Sequence, residues 1–162
     1  MAITGENNYY EDFVVGDRYI HPRGRTVTEM DNVMVTHMTM NTASPHFNEE
    51  LMKKWVVGKF GGQRVVMGGF TISLVVGLTS EDLSENALAE VFLDKIRLPT
   101  PVYHGDTLYA ESEVLGKEDA KDHPGAGVVH FKIMGKNQRG EPVFEGERKV
   151  LIKKRFPKGA QP

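Results

Sequence analysis

Histidine is the side chain in this sequence best suited to acid–base chemistry, because its unperturbed pKa lies close to neutral pH. Of the six histidines, His46 stands apart, since it directly follows a short polar stretch, residues 41–45, between two predicted helices. Loops held by a rigid scaffold are common places for reacting groups. His37 lies among methionines and is interpreted as a packed helix residue. On spacing alone, the interpretation of Pro45–His46 as the lead-in to a helix is slightly favoured.

A glycine pair, Gly68–Gly69, precedes a long apolar run and is the second feature of chemical interest. Backbone N–H groups at a helix N-terminus have no partner within the helix, and glycine leaves them open to a bound oxyanion. The same glycines would also ease close packing of the helix. Spacing alone leaves both explanations open.

Composition excludes several classes of protein. The 162-residue chain has no cysteine, which excludes disulfides, thiolate metal sites and a cysteine nucleophile. Its 20 basic and 22 acidic residues give a net charge of −2, so we expect no nucleic-acid binding. No apolar run is long enough for a membrane span, and the polar N-terminus does not resemble a signal peptide. We therefore expect a soluble cytoplasmic protein without a membrane partner.

Hydrophobic periodicity predicts helices in the first half of the chain, after a weak strand at residues 17–28. Thr28 and Asp31 form a capping-box pattern in front of apolar residues at helical spacing. Asn48 is suited to cap a second helix, Glu49–Val57. The run from Val65 to Leu78 is apolar almost all round, which is typical of a buried helix.

The second half of the chain is predicted to form four strands, at residues 87–98, 106–115, 128–134 and 143–152, with a hairpin turn at 136–142. One apolar helix followed by an antiparallel sheet predicts an α+β fold, with the sheet wrapped around the helix. We expect a single domain, residues 1–162, with an ordered core at about 10–154. The first 15 residues and the tail after Lys153 have no regular pattern. Open sheet edges favour a homodimer or a dimer of dimers.

The segment Thr39–Asn48 resembles the hydratase loop of the MaoC-like dehydratases, which have the hot-dog fold. That loop reads Asp-x-Asn-Pro-x-His and is followed by a helix and a second conserved segment, where Val65–Gly68 lies here. Further similarity at Arg97–Leu108 and Gly135–Gly140 resembles the branch that contains mesaconyl-CoA hydratases. The resemblance covers about Tyr10–Lys154 and implies a hot-dog fold.

The resemblance also implies roles for individual residues. His46 takes the place of the catalytic histidine, and Gly68 that of the glycine whose N–H binds the thioester oxygen. Asn41 takes the place of the catalytic aspartate, and Ala43–Ser44 replace the Asn-Pro pair. An amide exchanges no useful proton near neutral pH, so Asn41 is expected only to orient a water. Met67 replaces a histidine of the second segment.

The implied activity is reversible addition of water to the 2,3-double bond of an enoyl-CoA. Coenzyme A is then part of the substrate, and neither a metal ion nor an organic cofactor is expected. Met67 and Gly69 would adjoin the thioester, and the basic residues considered for the coenzyme A phosphates are Lys95, Arg97, Lys136 and Arg139. For each of these four, a solvated surface charge is the favoured interpretation. An acyl-CoA thioesterase and a non-catalytic acyl-thioester-binding protein remain alternatives, because fold alone does not fix function.

Overall fold

A five-stranded antiparallel sheet dominates the computed structural model, which describes residues 8–155. Its strand order is β1-β5-β6-β7-β4, so β1 and β4 are the two edges. The strands are β1 (Arg18–Thr26), β4 (Ala87–Arg97), β5 (Thr107–Asp119), β6 (Ala126–Asn137) and β7 (Pro142–Lys153). The four strands predicted in the second half are confirmed, as is the hairpin turn between β6 and β7. Residues 1–7 and 156–162 of the predicted irregular termini lie outside the described range.

Five helices and a short hairpin connect β1 to β4. The helices are α1 (Glu29–Met38), α2 (Ser44–Phe47), α3 (Glu49–Lys54), α4 (Gly68–Leu78) and α5 (Ser80–Leu83), and a 3-10 turn lies at Tyr10–Asp12. The hairpin pairs β2 (Val56–Val57) with β3 (Phe60–Gly61). Among residues 8–155, no helix is both long and apolar enough to cross a lipid bilayer.

Helix α4 packs against the sheet and contacts β1, β5, β6 and β7. Val75 is fully buried, and a Cβ on Gly135 of β6 would lie only 2.6 Å from its Cγ2 atom. Glycine at that position lets the helix approach the strand closely. The predicted α+β arrangement is therefore confirmed. Helix α4 is less buried than predicted. A single copy of the chain covers only part of its surface, and Ser73 and Gly77 remain exposed.

Helix α1 starts as predicted, with the Thr28 side chain accepting from the Asp31 N–H and the Asp31 carboxylate accepting from the Thr28 N–H. Its inward face is polar, since Asn32 and Thr36 are its buried residues. The methionines Met30, Met34 and Met38 point outward. The interpretation of His37 as a packed residue is wrong: it is exposed, with its ring edge-on to Phe47.

The end of α1 sets the direction of the loop before α2. Met40 has a φ of 53°, the left-handed conformation that usually requires glycine. The N–H of Asn41 donates to the Thr36 carbonyl at 2.9 Å, and that of Met40 to the His37 carbonyl at 3.1 Å. This pair of bonds is the Schellman motif, which reverses the chain and starts the loop at residue 41.

The second predicted helix is shorter than expected. Helix α3 begins after its Asn48 cap but ends at Lys54, and Val56–Val57 form a strand instead. Adjacent β-branched residues favour a strand over a helix terminus. Gly58 and Gly61 have φ values of 59° and 105°, which allow the tight hairpin.

Candidate active site

A cavity of about 240 Å³ lies at the N-terminus of α4 and brings two predicted site residues together. Its lining includes His46, Gly68 and Thr71, with the apolar side chains of Phe60, Leu98 and Val143. The wall is mostly apolar with a few polar groups, which is the usual make-up of a small-molecule site. A larger depression of about 300 Å³, on the outer face of the sheet, is lined by charged residues such as Glu113, which pairs with Arg18. That depression has no histidine in its lining, whereas the smaller cavity brings His46 and Gly68 together, so we assign the site to the smaller cavity.

The imidazole of His46 is oriented by a single backbone acceptor. Its Nδ1 atom lies 2.8 Å from the carbonyl oxygen of Val65. A carbonyl oxygen can only accept a hydrogen bond, so Nδ1 carries the hydrogen. In neutral His46 the Nε2 atom therefore holds a free lone pair, and within the described residues it has no hydrogen-bond partner. This arrangement suits a general base.

Gly68 is the first residue of α4, and Met67 is its N-cap. Within residues 8–155, the N–H groups of Gly68 and Gly69 have no hydrogen-bond acceptor. A Cβ on Gly68 would lie 2.7 Å from the Cδ1 atom of Leu98, so a larger residue would crowd the cavity wall. Gly68 thus places an unpaired backbone donor, at the positive end of a helix dipole, beside the cavity that His46 lines.

Asn41 does not line this cavity. Its Oδ1 atom accepts a 3.0 Å hydrogen bond from the Ala43 N–H, which turns the chain toward α2. The described geometry therefore gives Asn41 a part in shaping the loop. Its role in orienting a water remains a prediction.

Met67 and Gly69 adjoin the site without lining the cavity. The sulfur of Met67 accepts a hydrogen bond from the Thr39 hydroxyl at 3.5 Å, which connects the end of α1 to the start of α4. A Cβ on Gly69 would lie 2.5 Å from the Cε atom of Met67. Both residues therefore fix the start of α4, and their predicted contact with substrate remains a prediction.

The predicted phosphate-binding cations differ in how strongly they are already paired. Lys95 donates to both carboxylate oxygens of Glu147, at 2.9 and 3.1 Å. Arg97 lies in a groove separate from the cavity, which Lys95, Lys132, Glu145 and Glu147 also line, and it makes no ion pair among the described residues. Because its neighbour Leu98 lines the cavity, Arg97 is the better placed of the two for an anion. Two further candidates are engaged by acids: Lys136 by Glu111 and Arg139 by Asp106 and Glu141.

Sequence reasoning missed Asn32, a buried residue of α1 whose side chain bonds to both parts of the site. Its amide group donates to the His46 carbonyl, and its Oδ1 atom accepts from the Met67 N–H. The available signal was its spacing from Thr36, which puts two polar residues on one helix face while the methionines occupy another. The partners are 14 and 35 residues away in the chain, and no local pattern identifies them.

A second histidine, His21, has partners that match a nucleophilic triad but lies away from the cavity. Its Nδ1 atom is 2.5 Å from Asp82, and its Nε2 atom is 2.9 Å from the Ser112 hydroxyl. Burial lowers the pKa of His21 below its usual value, and this outweighs the opposing effect of Asp82. His21 and Ser112 are 2% and 4% exposed, so both belong to the protein interior. The cluster joins β1, α5 and β5.

Comparison with solved structures defines the class. The fold superposes with a TM-score of 0.81 on a protein of Mycobacterium tuberculosis described as a double hot-dog fold, at 16% identity, over 96% of this chain and 46% of that one. The chain thus has the hot-dog fold, with a histidine and a helix-terminal glycine at one cavity. The family model described as "Mesaconyl-CoA hydratase" matches residues 3–154, so the chain belongs to the mesaconyl-CoA hydratase family.

Individual relatives support the assignment. Beta-methylmalyl-CoA dehydratase of Chloroflexus aurantiacus is 32% identical over 139 residues, which are 86% of this chain and 38% of that protein. A MaoC domain protein dehydratase structure from the same organism superposes with a TM-score of 0.84 at 29% identity, over 94% of this chain and 46% of that one. The chain thus spans less than half the length of these relatives.

Proposed function

We propose that the protein catalyses reversible addition of water to the 2,3-double bond of an enoyl-CoA thioester. The observation that carries this proposal is the arrangement at the cavity. His46 is held with Nδ1 protonated and Nε2 free, and Gly68 lines the same cavity with an unpaired backbone N–H. Hydration of a conjugated thioester needs both a base for water and a donor for the developing enolate oxygen.

The proposed steps balance with water as the only co-reactant. Nε2 of His46 takes one proton from water while the oxygen attacks C3. The double-bond electrons move toward the thioester carbonyl, whose oxygen accepts a hydrogen bond from the Gly68 N–H. The imidazolium then returns the proton to C2, which yields the 3-hydroxyacyl-CoA and restores His46. Removal of one such oxyanion donor typically costs about 3–4 kcal/mol of transition-state stabilisation.

The acyl group that we propose is short or branched. The cavity is small, and the side chains of Phe60, Leu98 and Val143 give it an apolar wall. The name of the family makes mesaconyl-CoA one candidate substrate. An acyl chain that carries a second carboxylate would require a cation at this wall. Crotonyl-CoA, whose acyl chain has no carboxylate, is therefore the informative comparison.

We also propose that two copies of the chain associate through β4. This edge strand exposes several large apolar residues, Leu88, Val91, Phe92, Leu93 and Ile96. An exposed apolar edge is prone to pair with another strand. Structures with this fold whose chains are about twice as long also support a paired arrangement, since the present chain matches 46% of each.

The geometry disfavours the thioesterase alternative. That chemistry generally uses a carboxylate near the thioester carbonyl, and no described acidic residue lines the cavity. Glu49, on the helix after His46, accepts hydrogen bonds from the backbone and side chain of Arg64 at 3.2 Å. These bonds lower the pKa of Glu49 and hold it away from the site.

Product analysis tests the proposal. The purified protein is incubated with crotonyl-CoA and, separately, with mesaconyl-CoA, and the products are separated and weighed by mass spectrometry. Gain of one water with the thioester intact is the expected result. Release of free coenzyme A thiol identifies a thioesterase. Ligand-induced stabilisation without any product identifies a non-catalytic binding protein.

A further inference from the structure

Asn32 occupies an unusual position for a polar side chain. It is 4% exposed and lies on the inward face of α1, whereas Met30 and Met34 of the same helix are more than half exposed. Burying an amide is costly unless its donor and acceptor atoms are paired. The partners of Asn32 therefore explain why this face of the helix is polar.

Those partners belong to the two chain segments that form the site. Nδ2 of Asn32 donates to the carbonyl of His46 at 3.2 Å and, more weakly, to that of Val65 at 3.5 Å. Oδ1 accepts from the N–H of Met67 at 3.0 Å. Val65 is also the acceptor for the His46 imidazole, and Met67 directly precedes Gly68.

We infer that Asn32 is a positioning residue, which sets the separation and orientation of the His46 imidazole and the Gly68 N–H. This inference rests on the proposed function for the roles of those two groups. The Asn32 amide bonds to the backbone of the base, His46, and to the Val65 carbonyl that orients it. The same amide bonds to Met67, the residue before the oxyanion donor. The contacts require a donor and an acceptor on the same side chain, so aspartate cannot replace asparagine.

The test uses Asn32→Asp and Asn32→Ala, with Asn86→Asp as the matched control. Aspartate has nearly the same size but removes the donor and sets a carboxylate against two carbonyl oxygens. Asn86 is also buried, but its side chain donates to the Asn8 carbonyl at 3.3 Å, and Asn8 does not line the cavity as His46 and Val65 do. The control therefore measures the general effect of the same chemical change in the core.

The expected result is a change in kcat with little change in KM. A displacement of about 1 Å at a reacting group can cost about 100-fold in rate. We therefore expect kcat for crotonyl-CoA to fall about 100-fold in Asn32→Asp, with KM within about threefold of wild type. Nitrogen-15 shifts should show His46 as the Nδ1–H tautomer in wild type and as a mixture in both Asn32 variants. A kcat in the Asn32 variants within about twofold of the control would overturn the inference.

A measurement on wild type decides the matter if the variants do not fold. The Met67 amide should be protected from exchange with deuterated water, because it donates a partly buried hydrogen bond to Asn32, whose side chain is 4% exposed. Exchange at the rate of an unbonded amide would also overturn the inference. If wild type hydrates no enoyl-CoA, the proposed function fails, while the His46 tautomer and Met67 exchange still report on Asn32.

Discussion

At the scale of single residues, the site depends on backbone groups as much as on side chains. The Val65 carbonyl orients His46, the proposed base, and the Gly68 N–H is the proposed donor to the substrate oxygen. Sequence could point to His46 and Gly68, because a histidine in a polar loop and a glycine at a helix start have recognisable settings. It could not show that Val65 selects the tautomer, because that contact spans 19 residues of chain.

Replacing Gly68 by proline tests the backbone donor. Proline suits the first position of a helix, and Met67 has a φ of −58° and ψ of 129°, which is compatible with a following proline. We expect Gly68→Pro to fold and to lower kcat for enoyl-CoA hydration by about 100-fold or more, since the N–H is lost. Steady-state kinetics with a circular dichroism spectrum make the measurement.

Gly68→Ala is the control for that change. It introduces the same Cβ contact with Leu98 but keeps the N–H. An equal loss of kcat in Gly68→Ala and Gly68→Pro would assign the effect to crowding and would exclude the donor role.

At the scale of secondary-structure elements, local sequence signals predicted where helices start better than where they end or which face is buried. The Thr28 and Asn48 caps and the strand alternation gave correct helix starts and strands. The end of α3 and the polar inward face of α1 were not predictable in the same way. The end of α3 depends on pairing of β2 with β3 across the hairpin. The polar inward face of α1 depends on hydrogen bonds to segments distant in the chain.

The Schellman motif at the end of α1 predicts a stabilising substitution. Met40 holds a left-handed φ that costs a non-glycine residue about 1 kcal/mol or more, and its side chain is 87% exposed. Met40→Gly should therefore raise the free energy of unfolding by about 0.5–1 kcal/mol. Urea denaturation measures this change.

The matched control is Met34→Gly, in the interior of the same helix and also exposed. There glycine should lower the free energy of unfolding by about 1 kcal/mol. Destabilisation by Met40→Gly would show that the side chain of Met40 contributes contacts that outweigh its backbone strain.

At the scale of the whole molecule, the buried His21 cluster predicts how global stability depends on pH. In the folded protein the pKa of His21 is lowered from 6.5 by burial, so the unfolded chain binds the proton more readily. This contribution to stability is complete above pH 6.5 and is lost as the pH falls from 6.5 toward the folded-state pKa.

Denaturation curves between pH 8 and pH 5, a range of about three units around the histidine pKa, measure this loss. His21→Gln keeps a donor and an acceptor without titrating, and should flatten the dependence. His123→Gln, in an exposed loop, should leave it unchanged. If the free energy of unfolding depends equally on pH in wild type and His21→Gln, the buried cluster is not the source of that dependence.

The proposed pairing through β4 is tested by charge at the sheet edges. Sedimentation velocity at micromolar concentration should show a dimer for wild type and a shift toward monomer for Val91→Lys, since the lysine would lie in the interface. Ile20→Lys, on the opposite edge β1, is the control and should remain dimeric. A monomeric wild type would contradict the pairing.

The most direct test of the whole account compares hydration of crotonyl-CoA by wild type, His46→Ala and His37→Ala. His37 is exposed and does not line the cavity, so its variant controls for loss of a nearby histidine. We expect measurable hydration by wild type and His37→Ala, and a loss of at least about 100-fold in His46→Ala, the lower range for a general base. Full activity in His46→Ala would contradict the assignment of the base and with it the mechanism.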